Sequence, residues 1–174
     1  PFSYFLLGPT ASFTESVRQE LLGRGYSLLS DRFVPVWSLA RRLASLLAGE
    51  LRQVPEGVCR MELSAVIQEL KGYVPSARTV GYFREAVNVL KENMGDLELA
   101  FGREDAVPKI LLEVYEGLRK RFQELRYFDM YDAFAIVVEN ADKIEPGSYG
   151  TVLFIDGFND LSPAMAAFVA KFME

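Results

Sequence analysis

The spacing of apolar positions changes character twice along this chain. Ser3 to Leu7 is a short apolar run ended by Gly8-Pro9, which predicts a buried strand. Phe13, Val17 and Leu21 then recur at helical spacing up to Gly23 or Gly25. Ser12-Phe-Thr-Glu15 has the spacing of a capping box, so Ser12 is expected to open that helix. Arg32 to Val36 predicts a second strand, kept short or at an edge by Pro35. Ser38 is positioned to cap a helix bearing Leu39, Leu43, Leu46 and Leu47 and stopped by Gly49. Strand, helix, strand, helix in this order predicts a parallel sheet.

The period then becomes purely helical. Met61 to Leu70, Thr79 to Met94, Val107 to Arg126 and Asp129 to Ala141 each carry apolar residues at three and four spacing, clearest in Val107, Ile110, Leu111, Val114, Leu118, Phe122 and Leu125. Gly72-Tyr-Val-Pro75, Gly95-Asp96 and Gly102 separate them. The strand pattern returns at Val152 to Ile155, and Ser162-Pro163 supplies a cap and first-turn proline for a last helix. The predicted fold is α/β and mostly helical: a fragment of a P-loop NTPase-like parallel sheet of about three strands, interrupted by a large all-helical insertion. The expected division is residues 1–49 and 149–174 for the α/β core and 50–148 for the insertion.

The four apolar residues Val152 to Ile155 read as a buried strand that delivers Asp156 to its C-terminal end. In open α/β sheets that edge is where ligands bind, and in P-loop nucleotide hydrolases an aspartate there helps to hold magnesium. The next residue is Gly157, not a second acid. No G-x-x-x-x-G-K-S/T occurs, and Gly8-Pro9-Thr10-Ala11-Ser12 lacks the lysine and second glycine needed to cradle phosphates.

Composition narrows the chemistry further. The 174 residues contain no histidine and one cysteine, Cys59, which removes histidine-based triads, the usual imidazole bases and most zinc sites. Half of the residues are apolar, yet no run reaches the ~20 needed to cross a bilayer. No signal peptide is visible, and a reducing, cytoplasmic location with no membrane partner is expected. The start at Pro1 and the stop at Glu174 inside an apparent helix suggest an excised fragment. The net charge of −5 means that any DNA contact must use a local patch. Arg41 and Arg42 form one such patch, and Lys109, Arg119, Lys120, Arg121 and Arg126 a second that reads more readily as a solvated helix face. Trp37 could stack a base, although a lone tryptophan beside a helix start is more often packed. Asp129 and Asp132 read as a helix-start pair, not as metal ligands.

Four segments in fixed order resemble superfamily 1 helicases of the UvrD/Rep type. Ile155-Asp-Gly-Phe-Asn-Asp-Leu-Ser-Pro163 is similar to motif II, usually V-D-E-F-Q-D-x-S/T-x. Leu7 to Glu15 lies where motif Ia follows its strand. Val36-Trp37-Ser38-Leu39-Ala40 with Leu43 resembles motif Ib, and Tyr127-Phe-Asp129-Met-Tyr-Asp132-Ala-Phe134 the D-F-x-D-L segment that precedes motif II. The D-G-F sequence followed by a Ser-Pro helix start is similar to the helicase-like N-terminal region of the AddB/RexB family, which works within bacterial ATP-dependent helicase–nuclease complexes.

The resemblance implies a degenerate helicase fold that binds DNA in recombinational repair beside an AddA/RexA-like motor subunit. It implies a motif II remnant at Asp156, Gly157, Asn159 and Asp160. It also implies DNA contacts from Thr10, Ser12, Trp37, Ser38, Arg41 and Arg42. Glycine at 157 leaves no acceptor for an attacking water, and loss of a positioned base costs ~10²–10⁴-fold in rate. No catalytic residue and no cofactor are therefore expected in this segment, and Mg-ATP only if a P-loop lies upstream. A competing reading is part of an ATP-dependent helicase with that upstream P-loop. Another is a module for protein contacts alone.

Overall fold

A computed structural model describes residues 4–102, 108–144 and 152–171. Pro1, Ser3, Val107, Ser148 and Glu174, which figure in the sequence pattern above, lie outside the described residues. Strand β1 (Tyr4–Gly8) is the centre of a parallel sheet of order β2-β1-β5, with β2 at Phe33–Pro35 and β5 at Val152–Ile155. Leu6 lies opposite Phe33 on one side and Phe154 on the other, and Leu7 opposite Val34 and Ile155. Helix α1 (Ala11–Gly23) connects β1 to β2. It lies on the face that carries Gly8, where Phe13 and Thr14 crowd the glycine. The opposite face presents Leu7 to α2 (Val36–Leu47), α7 (Asp132–Glu139) and α8 (Pro163–Ala170), which bury Leu39, Leu43, Phe134, Val137 and Phe168 around it.

The middle of the chain builds a second core. Helices α3 (Glu56–Lys71), α4 (Ala77–Glu92) and α6 (Lys109–Leu125), with the short α5 (Leu97–Phe101), bury Leu63, Ile67, Val87, Leu90, Val114 and Leu118 together. Gly117 lets α6 approach α3 closely, since a Cβ there would stand 2.8 Å from Cγ1 of Val66. Left-handed glycines end α3 at Gly72 and α5 at Gly102, as their Cβ-free backbone permits. Two-residue strands β3 (Arg52–Gln53) and β4 (Tyr127–Phe128) pair in parallel where the chain leaves and rejoins the sheet side. The mostly helical α/β character and the small parallel sheet are as the apolar periods predict. Within residues 50–148, α7 packs its buried face into the core around Leu7.

Three local expectations are corrected. Ser12 is not the cap of α1: Thr10 is extended (φ −137°, ψ 161°), and its hydroxyl accepts from Phe13 N at 3.1 Å. The helix therefore begins two residues early, and Glu15 turns to Arg18 and Gln19 instead of closing a capping box. Ser38 is not a cap either, because β2 runs straight through Pro35 into α2 and leaves Ser38 inside the first turn. Finally, β5 is an edge strand and not a buried one. Val152, Phe154 and Ile155 are exposed, Phe154 by 53%. An apolar run reports the composition of a strand, and its place in the sheet decides what covers it.

Candidate functional site

All three strands of the main sheet are parallel, so their C-terminal ends share one edge. That edge collects the loops after β1, β2 and β5. Thr10 and Ser12 stand exposed at the start of α1, Trp37 and Ser38 half-buried in the first turn of α2, and Asp156, Gly157, Asn159 and Asp160 exposed in the loop before α8. Arg41 and Arg42 follow roughly one and a half turns along α2. Both are exposed, and neither has an ion pair among the described residues. The structure thus brings the residues picked from three distant segments to one side of the sheet.

The helices after β1 and β5 lie on opposite faces, which makes the crevice between these strands a topological switch point, the usual ligand position in an open α/β sheet. Here the Phe13 ring fills it. A Cβ built on Gly8 would stand 2.6 Å from Cδ1 of Phe13, and one built on Gly157 would overlap the far side of the same ring. Gly157 also has φ +77°, a left-handed conformation that L side chains rarely adopt. The two glycines and the ring form one packed unit. Asp156 is turned inward on its own loop: its Oδ1 accepts from Gly157 N at 2.7 Å, while its amide extends the ladder to Leu7 O at 3.2 Å. Asn159 and Asp160 are exposed along a shallow depression of about 520 Å³ formed by Ile155 to Leu161. This corner offers shape and exposed polar atoms, with glycine and not an acid following Asp156, and with Asp160 four residues further along the loop.

Trp37 is half-buried. Its ring meets Phe134 and Tyr131 edge to face at 4.5 and 5.3 Å, so the indole serves packing on at least these two sides. Most basic residues of α6 and its C-cap Arg126 lie beside a carboxylate. Arg121 pairs with Glu62 and Glu69, Lys109 with Glu113, Lys120 with Glu124 and Arg126 with Glu50. Arg119 has no such partner among the described residues.

Asp129 and Asp132 do form a helix-start pair. Asp132 Oδ2 accepts from Asp129 N at 2.9 Å, and Asp129 Oδ1 from the amides of Tyr131 and Asp132. They also anchor a buried ion cluster that sequence reasoning missed. Arg84 Nη1 and Lys91 Nζ each reach Asp129 Oδ2 at 2.9 Å. Lys91 lies 2.8 Å from Asp132, and Arg84 3.1 Å from Glu56. Burial opposes the charge on Asp129, but Lys91 and Arg84 outweigh it and hold the carboxyl down to about 2. Burial pushes Asp132 up against the pull of Lys91. Lys91 stays charged because the two carboxylates overcome its own desolvation. A signal for this cluster was present: Val80, Arg84, Val87 and Lys91 fall at 4-3-4 spacing on one face, so two cations sit on an apolar stripe. No sequence signal of comparable strength marks Phe13 as the filler of the crevice, since its partners Gly8 and Gly157 are almost 150 residues apart.

Among the described residues there is no group of three or more acids or cysteines placed to hold a metal ion, and no helix long and apolar enough to cross a membrane. Cys59 is buried and its thiol is pushed up by burial to about 11, which makes it a packing residue. No family model matches the chain, and no curated protein matches it.

Proposed function

We propose that this chain is a helicase-like domain with no catalytic step of its own, from the AddB/RexB-type component of a cytoplasmic helicase–nuclease. In this reading it contacts DNA, or braces the AddA/RexA-like motor subunit, during double-strand-break repair. The carrying observation is the crevice between β1 and β5, where the Phe13 ring lies between two glycines and Asp156 bonds its own loop. That packing suits a corner kept for shape, and it leaves Gly157 no room for a water-orienting side chain. Mg-ATP belongs to this reading only through a P-loop upstream of the segment.

The DNA-facing surface in this reading is the start of α1 with α2: Thr10, Ser12 and Ser38 near the edge, Arg41 and Arg42 beyond. Two arginines with no ion pair among the described residues, on an acidic chain, supply the local patch that backbone phosphates require. Trp37, held by Phe134 and Tyr131, contributes by placing this turn. Fluorescence anisotropy with a single-strand/duplex junction at low salt tests the surface. Binding is expected, with a clear loss in an Arg41→Glu/Arg42→Glu variant. No detectable binding at high micromolar protein would remove DNA contact and leave only the bracing role. Half-exposed Phe154 on the open edge of β5 favours that role as the second reading, since apolar parallel strands are ordinarily covered.

A further inference from the structure

Away from the sheet edge, α4, α6, α7 and β4 enclose a cleft of about 380 Å³ between the two cores, within the size range of small-ligand sites. One face of α6 lines it with Tyr115, Arg119 and Phe122 at i, i+4 and i+7. Phe122 is buried and meets Tyr127 edge to face at 6.3 Å, and Arg84 and Trp37 already pack on the Tyr131 ring, so the half-buried rings of Tyr115 and Tyr127 are the ones a ligand would meet. Lys91 sits 5.2 Å from the centre of the Phe122 ring, but its charge is already answered by Asp129 and Asp132. Arg119 is different. Among the described residues no hydrogen bond or ion pair engages its guanidinium, nor the hydroxyls of Tyr115, Tyr127 or Tyr131. The cleft therefore combines aromatic walls, uncommitted donors and one open cation on an otherwise acidic chain.

We propose that this cleft takes one nucleotide unit, the base against the aromatic wall and the phosphate on Arg119. Aromatic faces accept any base by stacking, and a guanidinium beside them answers the phosphate. Glu139 lines the same cleft and disfavours ligands that carry several phosphates. The site meets the surface proposed for DNA contact only through Tyr131, which packs on Trp37, and does not depend on it, since the unit can be a free mononucleotide or one residue of a single strand.

Calorimetric titration of the 174-residue chain with deoxyadenosine monophosphate, deoxyribose 5-phosphate and an oligothymidine tests it. The mononucleotide is expected to bind and the base-free sugar phosphate not to. Arg119→Glu, at an exposed position, is expected to abolish binding, and Tyr115→Ala to weaken it about tenfold, within the range for one stacked base. Circular dichroism checks the fold, and Arg119→Glu decides the matter if Tyr115→Ala disturbs packing. Oligothymidine binding lost in both variants assigns the site to single strands, whereas mononucleotide binding alone assigns it to a free nucleotide. Equal binding of the sugar phosphate, indifference to both variants, or no binding of any probe at millimolar concentration overturns the proposal. Loss of DNA binding only in Arg41→Glu/Arg42→Glu would leave the sheet-edge surface standing while this cleft fails.

Discussion

Gly157→Ala is the most informative single perturbation of the sheet edge. Two costs add. Alanine at φ +77° sits in the left-handed region, at about 1–2 kcal/mol. Its Cβ also overlaps the Phe13 ring, and forced repacking of that kind costs ~1–3 kcal/mol. A loss of roughly 3 kcal/mol is expected, read as a drop of about 6–12 °C in Tm for a chain of this size. Phe13→Ala should remove the steric part, so the double variant is expected to be at least ~1 kcal/mol more stable than the sum of the two single changes. Such coupling is the signature of direct contact. Gly157→Asn tolerates the left-handed backbone and isolates the overlap. A Gly157→Ala protein within ~0.5 kcal/mol of the parent, or a double variant that is merely additive, would refute the packed unit of Gly8, Phe13 and Gly157.

Asp129→Asn should cost about 3–5 kcal/mol near neutral pH, because it leaves Arg84 and Lys91 buried beside a neutral group. The Asp129 carboxyl is held below its unfolded value, so its stabilisation is full above about pH 4 and is lost as pH falls towards 2. Acid unfolding should accelerate in that window and flatten in Asp129→Asn, and an unchanged acid limb would count against the cluster. Gly117→Ala should lose about 1 kcal/mol in urea titrations although alanine is favoured in helices by a similar amount, because its Cβ meets Val66. Combining it with Val66→Ala should recover the helix gain, and stabilisation by Gly117→Ala alone would deny the close approach of α3 and α6. Arg41→Glu/Arg42→Glu should reduce the steepness of log affinity against log salt for single strands by roughly 1.4, two phosphate contacts' worth, and an unaltered slope would place the contacts elsewhere.

The class of fold was legible because period and order are local properties. Strands of three to five residues flanking glycine or proline, and long helices between Glu56 and Leu125, follow from spacing alone. The convergence of Thr10, Trp37 and Asp156 at one edge was legible for a topological reason: in a parallel sheet every strand-to-helix loop leaves from the same side. Strands β3 and β4 were not, since two residues apiece, exposed in β3 and half-buried then buried in β4, are too few to carry a pattern, and they pair because Arg52 N and Val54 N reach carbonyls of Arg126 and Phe128. Helix caps were misplaced by two residues in α1 and three in α2, because Thr10 and Ser12, or Pro35 and Ser38, compete for the same role. The chain settles this through where the strand stops hydrogen-bonding. The exposure of β5 escaped because its residues are those of a central strand, and only the sheet order β2-β1-β5 puts them at the rim.

The same geometry gives Gly157 a packing role of its own. A water-orienting acid at 157 would need a backbone that leaves the left-handed region, an aromatic ring withdrawn from the crevice, and an Asp156 released from its bond to the Gly157 amide. Phe13 cannot withdraw alone, because the turn of α1 that carries it is fixed by the Thr10 cap and by Thr14 against Gly8. Gly157→Glu by itself is therefore a test of packing, and its failure to produce hydrolysis says nothing about the chemistry. A fair test of a dormant site changes Phe13 and Gly157 together, in a protein that includes any upstream phosphate loop, and measures stability before rate. If that double variant is as stable as the parent and binds nucleotide at the β1–β5 crevice, the corner is a closed site. If it is stable and binds nothing there, the corner is structural, and whatever this chain recognises is met by its outer surfaces.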